Sequence, residues 1–129
     1  MAAHTSVLAS ASREFLATLE QSKMVDADRS VLARIDGTPV RSLALAVTTL
    51  AQQISSAVDW QACLETSLQM GCRVFLELGP GAGLTRMLRE FCSDVAARSV
   101  QEFRSLEGVA AWIMKHDDRW RMGQSCYLR

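Results

Sequence analysis

Arg73 to Leu84 reads RVFLELGPGAGL, a nearly unbroken apolar run that opens into a glycine-rich turn and then into an amphipathic stripe of Leu84, Met87, Leu88 and Phe91. A strand of that composition suits burial on both faces of a parallel sheet, because alternation is lost when helices cover both sides. The stripe at i, i+3, i+4 and i+7 predicts a helix packed back on the strand. This strand, turn and helix commit the chain to an α/β layer before any other residue is considered.

The remaining periodicities agree. Leu8, Ala11, Phe15, Leu16 and Leu19 share one helical face between Ser6 and Ser22, with Ser12, Arg13 and Glu20 opposite. VLARI is a short β-branched run closed by the turn pair Asp36-Gly37. After Pro39, Leu43, Val47, Leu50 and Ile54 mark a second helix, and Asp59 is placed to cap a third from Trp60 to Met70, which Gly71 ends. ARSV reads as a third strand, and Ser105 caps a last helix through Val109, Trp112 and Ile113. Three short strands of this kind predict one narrow parallel sheet with exposed edges, the mark of a portion of a larger α/β domain. Residues 1–116 are assigned to that portion and 117–129, which lack a clear period, to a C-terminal tail carrying Trp120 and Tyr127.

Fourteen basic and fourteen acidic side chains cancel, and no Lys/Arg run builds a positive patch, so neither nucleic acid nor a membrane is expected as a partner. No stretch nears the roughly 20 apolar residues of a membrane span. The first residues, MAAHTSVLASASREF, lack the pattern of a signal peptide, which suggests a cytoplasmic protein. Cys63, Cys72, Cys92 and Cys126 stand singly, as buried thiols in a reducing compartment do, and no metal site is expected.

The glycine turn does not match the phosphate-binding patterns. A P-loop requires a lysine after its last glycine, and the dinucleotide fingerprint requires Gly-x-Gly-x-x-Gly with a later acidic residue. Gly79, Pro80, Gly81, Ala82 and Gly83 offer neither. The expectation is a scaffold turn: Pro80 sets the chain direction, the glycines permit close packing, and Glu77 is solvated or paired.

Four stretches, AAHTSVL, SVLARIDGTPV, QISSAVDWQACLETSLQMG and VFLELGPGAGLTRML, follow one another in the order and spacing found in malonyl-CoA:acyl carrier protein transacylases. Over about residues 2–92 the chain resembles the C-terminal part of that family, and LELGPGAGL is the most specific match. The resemblance implies the C-terminal part of an α/β-hydrolase-like acyltransferase domain, with a short parallel sheet flanked by helices. It assigns His4 the role of general base toward a serine nucleophile and then of acid toward the departing thiol, chemistry that suits an imidazole titrating near neutrality. It also assigns the backbone carbonyl of Gln53 the task of orienting His4. No bound cofactor is implied; a coenzyme A thioester, malonyl-CoA, is the substrate, and an acyl carrier protein is the acceptor. His116 receives no such role and reads as an ordinary surface histidine.

The chain departs from the family at several points. Ser56-Ala57 stand where Asn-Pro is usual, and Ala33-Arg34 where Ser-Asn or Asn-Asn is usual. Arg34 therefore faces either substrate or solvent. The family's serine lies on a Gly-His-Ser-x-Gly elbow, followed by an arginine for the malonyl carboxylate, and neither is in this chain. Gly123-Gln124-Ser125 is half an elbow and lacks the strained strand-to-helix turn that would present its serine. The missing N-terminal part of the acyltransferase domain is thus an expected partner, and this chain alone is expected to be inactive. ARSVQEFRSLEGVAAWI and RIDGTPVR more closely resemble the malonyltransferase, or epsilon, subunit of malonate decarboxylase. The alternative is a non-catalytic interaction module, derived from the same fold, that binds a carrier protein or an enzyme subunit.

Overall fold

The structure, a computed structural model, describes residues 5–116. His4, the tail 117–129 with Trp120, Cys126 and Tyr127, and the half-elbow Gly123-Gln124-Ser125 lie outside the described residues. The chain divides into two compact units, Met1–Ser67 and Leu68–Arg129.

In the first unit a 3-10 turn at Ser6–Leu8 leads into α1 (Ala9–Glu20), which packs against α2 (Leu43–Ser55). Ser12, expected on the solvent side of α1, instead donates its hydroxyl hydrogen to the Ala51 carbonyl of α2 at 2.7 Å. A small side chain lets the two helices approach, and the bond satisfies the hydroxyl at the contact. The N-terminus of α2 is capped twice: Ser42 Oγ accepts from the Leu45 amide, and Asp26 Oδ1 accepts from the Leu43 amide at 2.6 Å. Its buried residues are Val47, Thr49, Ala51 and Gln53, whereas Leu50 is 39% exposed. Thr49 tolerates burial because its hydroxyl donates back to the Leu45 carbonyl at 2.8 Å.

The VLARI stretch does not join a parallel sheet. β1 (Val31–Leu32) pairs antiparallel with β2 (Pro39–Val40), Val31 opposite Val40 and Leu32 opposite Pro39, so among the described residues the expected single sheet of three strands is two sheets of two. The Asp36-Gly37 turn explains the difference, since it reverses the chain into a hairpin: the Gly37 amide donates to the Ala33 carbonyl at 2.8 Å, and Gly37 has φ +70°. A Cβ on Gly37 would lie 2.5 Å from the Ala62 carbonyl oxygen of α3 (Trp60–Gln69), so this turn needs glycine for conformation and for space. Asp59 Oδ1 caps α3 by accepting from the Ala62 amide at 2.9 Å, as its position predicts.

In the second unit Gly71 turns the chain out of α3 with φ +84°, and β3 (Val74–Glu77) pairs in parallel with β4 (Ala96–Ser99), Val74 opposite Ala96 and Glu77 opposite Ser99. Helix α4 (Gly83–Phe91) makes the crossover between them, and α5 (Leu106–His116) follows with Ser105 Oγ accepting from the Gly108 amide. A short parallel sheet flanked by helices is therefore present. β3 is not buried on both faces: Phe75 is buried, Val74 and Leu76 are half-buried, and Leu78 just beyond is 62% exposed. Among the described strands β4 is its only neighbour, so the other edge of β3 has no strand partner there.

Candidate functional site

Gln53 occupies the last turn of α2 and is 6% exposed. The helix ladder closes with the Ser56 amide on the Gln52 carbonyl, which puts the Gln53 carbonyl just past the final rung. Its side chain is committed elsewhere: Gln53 Oε1 accepts from Arg34 Nε at 2.8 Å. Arg34 follows β1, its guanidinium carbon lies 6.0 Å from the centroid of the Trp60 ring, and its carbonyl accepts from the Asp59 amide at 2.7 Å. One residue thus ties the end of the first strand to the last turn of α2 and to the start of α3. The sequence brings Gln53 forward only for its carbonyl; the side-chain bond to Arg34 has no periodic signal, because it joins residues 19 apart across a loop.

Cys63, on α3 in the same unit, is buried, and its thiol points to the Ala33 carbonyl at 3.5 Å. Burial, reinforced by the negative charge of Asp59, pushes this thiol above its usual range. Both effects favour the neutral thiol over the thiolate. Cys72 is likewise buried and Cys92 half-buried.

In the second unit the glycine turn is organised by two side chains. Glu77, at the end of β3, reaches across the turn: Oε2 accepts from the Thr85 amide at 2.8 Å and Oε1 from the Leu84 amide at 3.2 Å. Desolvation opposes ionisation of this carboxyl. The hydroxyl and amide of Thr85, the Leu84 amide and the charge of Arg86 outweigh it and hold the pKa below the ordinary carboxylate value. Ser99, fully buried at the end of β4, donates to the Gly81 carbonyl at 2.7 Å and accepts from the Gln101 amide at 3.3 Å. The N-terminus of α4, where an anion would otherwise bind, is filled by the protein's own carboxylate. Of the two states expected for the acidic residue of this turn, solvated or paired, Glu77 is paired. The expectation that the glycines serve close packing fails, because a Cβ at Gly79, Gly81 or Gly83 would meet nothing within 4 Å. Gly79 (φ +141°) and Gly81 (φ +102°) are required by backbone conformation instead.

Arg89 donates to the Ala97 carbonyl from Nε and Nη2, and with Arg98 grips the Glu102 carboxylate at 3.1 and 3.0 Å. The Arg98 guanidinium stacks 4.0 Å from the centroid of Phe103, which meets Trp112 edge-on at 5.7 Å. His116 Nδ1 lies 2.9 Å from the Trp112 carbonyl and its ring 5.2 Å from that of Trp112, a contact within the last turn of α5. Among the described residues no group of three or more His, Cys, Asp or Glu is placed to hold a metal, and no helix is long and apolar enough to cross a membrane.

No family model matches the chain. Among curated proteins it is 29% identical over 107 residues to the malonyl CoA-acyl carrier protein transacylase of Mycobacterium bovis, covering 83% of this chain and 35% of that protein. To the enzyme of the same name from Haemophilus influenzae it is 28% identical over 117 residues, covering 86% and 36%. The solved structure of the Synechocystis malonyl-CoA:ACP transacylase superposes with a TM-score of 0.74 at 26% identity, over 85% of this chain and 36% of that one. The chain spans about a third of the length of the curated relatives it matches. In sequence and in fold alike, it is similar to a part of the malonyl CoA-acyl carrier protein transacylases.

Proposed function

We propose that this chain is the C-terminal, base-bearing portion of an acyltransferase that moves a malonyl group from coenzyme A to an acyl carrier protein. The serine nucleophile lies outside this chain. His4 takes the proton as the serine attacks the malonyl thioester and returns it to the departing coenzyme A thiol; the acyl-serine is then attacked by the carrier's thiol, with the same histidine acting again. The carbonyl of Gln53 accepts from the imidazole and fixes which ring nitrogen faces the serine. The observation that carries this reading is the similarity in sequence and fold to the transacylases, which extends over more than four-fifths of the chain.

The exposed apolar residues of the second unit favour a portion of a larger domain over a free-standing interaction module. Leu78 is 62% exposed, Leu106 77% and Met114 53%, apolar side chains that the rest of a larger domain would cover. The test is malonyl transfer from malonyl-CoA to an acyl carrier protein by this chain supplied with a serine-bearing portion. Transfer by the pair, and none by this chain alone, is the expected result; a pair that folds and binds but never transfers would leave only the module.

The finer reading is the malonyltransferase of malonate decarboxylase, in a cytoplasmic setting. Its support is the likeness of RIDGTPVR and ARSVQEFRSLEGVAAWI to that subunit. Offering the reconstituted enzyme two acceptors separates the readings: the decarboxylase's small carrier with its unusual prosthetic group is the favoured acceptor, and equal or better use of a fatty-acid carrier protein would contradict it.

A further inference from the structure

Arg34 is anchored to a buried side chain and has no ion pair among the described residues. Its Nε is bound to the buried Gln53 side chain at 2.8 Å, its backbone carbonyl is held by the Asp59 amide, and its guanidinium lies near the face of Trp60. Two carboxylates on the flanking segments accept from backbone amides: Asp36 Oδ1 from the Thr38 amide and Asp59 Oδ1 from the Ala62 amide, each at 2.9 Å. Among the described residues the ion pairs are those of Arg89 and Arg98 with Glu102, and Arg34 has none. Among the described residues neither terminal amino group of this exposed guanidinium has a hydrogen-bond partner, and the two stand side by side in a fork pre-set by the Nε anchor. An arginine held in that way loses little side-chain entropy when it meets an oxyanion, which makes bidentate recognition favourable.

We propose that Arg34 is an anion-recognition residue that takes an oxyanion of the acyl thioester substrate, either a carboxylate on the acyl group or a phosphate on the pantetheine arm. The assignment of the ligand to an acyl thioester rests on the transferase reading; the anion site rests on the geometry around Gln53 and Trp60. Because Gln53 carries both the Arg34 anchor on its side chain and the backbone carbonyl proposed to orient His4, an anion on Arg34 would be registered against the reacting centre through a single residue.

The test is nuclear magnetic resonance of the 15N-labelled 129-residue chain, following the Arg34 Nε–Hε signal identified by its loss in Arg34→Lys. Malonate, 4′-phosphopantetheine and uncharged pantetheine are titrated in turn at constant ionic strength. A saturable shift with malonate assigns the acyl carboxylate, one with phosphopantetheine assigns the carrier arm, and pantetheine gives none. Arg34→Ala weakens the anion's binding, read by calorimetry, by about tenfold. Absence of a saturable shift with either anion, or unchanged affinity in Arg34→Ala, overturns the proposal. The titration measures no transfer, so a saturating site in a protein that fails the transfer assay removes the transferase reading alone. Transfer with an unchanged KM in Arg34→Ala removes this proposal alone.

Discussion

The Glu77 carboxylate accepts a hydrogen bond from the Thr85 amide, eight positions later, at 2.8 Å, so the residue that ends β3 caps the helix that follows it. Strand and helix are thereby locked across the glycine turn by a charge-assisted bond at the positive end of α4. Glu77→Gln removes the charge and leaves a weaker acceptor; the expected loss of stability is about 1–2 kcal/mol, read from urea unfolding.

The same carboxyl predicts a pH dependence. Its folded pKa lies below the ordinary value of 4.5, so its contribution is fully present above about pH 4.5 and is lost as the pH falls through the lower, folded value. Wild type should lose stability faster than Glu77→Gln over that acid window, and the two curves should run parallel near neutrality. Parallel curves throughout the acid window would show that the cap does not form in solution.

Ser99 fixes the other side of the turn through the Gly81 carbonyl. Ser99→Ala should cost about 1–2 kcal/mol and speed amide hydrogen exchange in residues 79–83 with little change in α5. Uniformly faster exchange over the whole second unit would mean the serine is a general core residue and not a clamp.

Two glycines predict opposite outcomes. Gly37→Ala must place a Cβ 2.5 Å from the Ala62 carbonyl oxygen at φ +70°, and should destabilise the chain by at least about 2 kcal/mol. Gly83→Ala, at the first position of α4 with open space around it, should be neutral or stabilising by up to about 1 kcal/mol. Thermal unfolding of the two variants checks the contrast.

Helices and their caps were legible in the sequence because they are local. Asp59 and Ser105 stand before their helices and cap them, and the apolar stripe of α4 places Leu88 in the core. Strand partnership was less legible. VLARI and RVFLEL look alike as apolar runs, yet one is reversed by Asp36-Gly37 into a hairpin while the other crosses over α4 into a parallel pair. What decides between them is the connection, a tight turn against a helix. Side-chain pairs distant in sequence, Arg34 with Gln53 and Ser99 with Gly81, left no pattern at all. The resemblance directed attention to Gln53, and only the fold showed that Arg34 is bound to it.

The most direct measurement is the rate of malonyl transfer to an acyl carrier protein by this chain, supplied with the serine-bearing portion, before and after His4→Ala. Loss of a general base that serves both half-reactions predicts a fall of about 10²- to 10⁴-fold, with circular dichroism unchanged. A variant that transfers malonyl at the wild-type rate would contradict the assignment of His4 and, with it, the reading of this chain as the base-bearing portion of a transacylase.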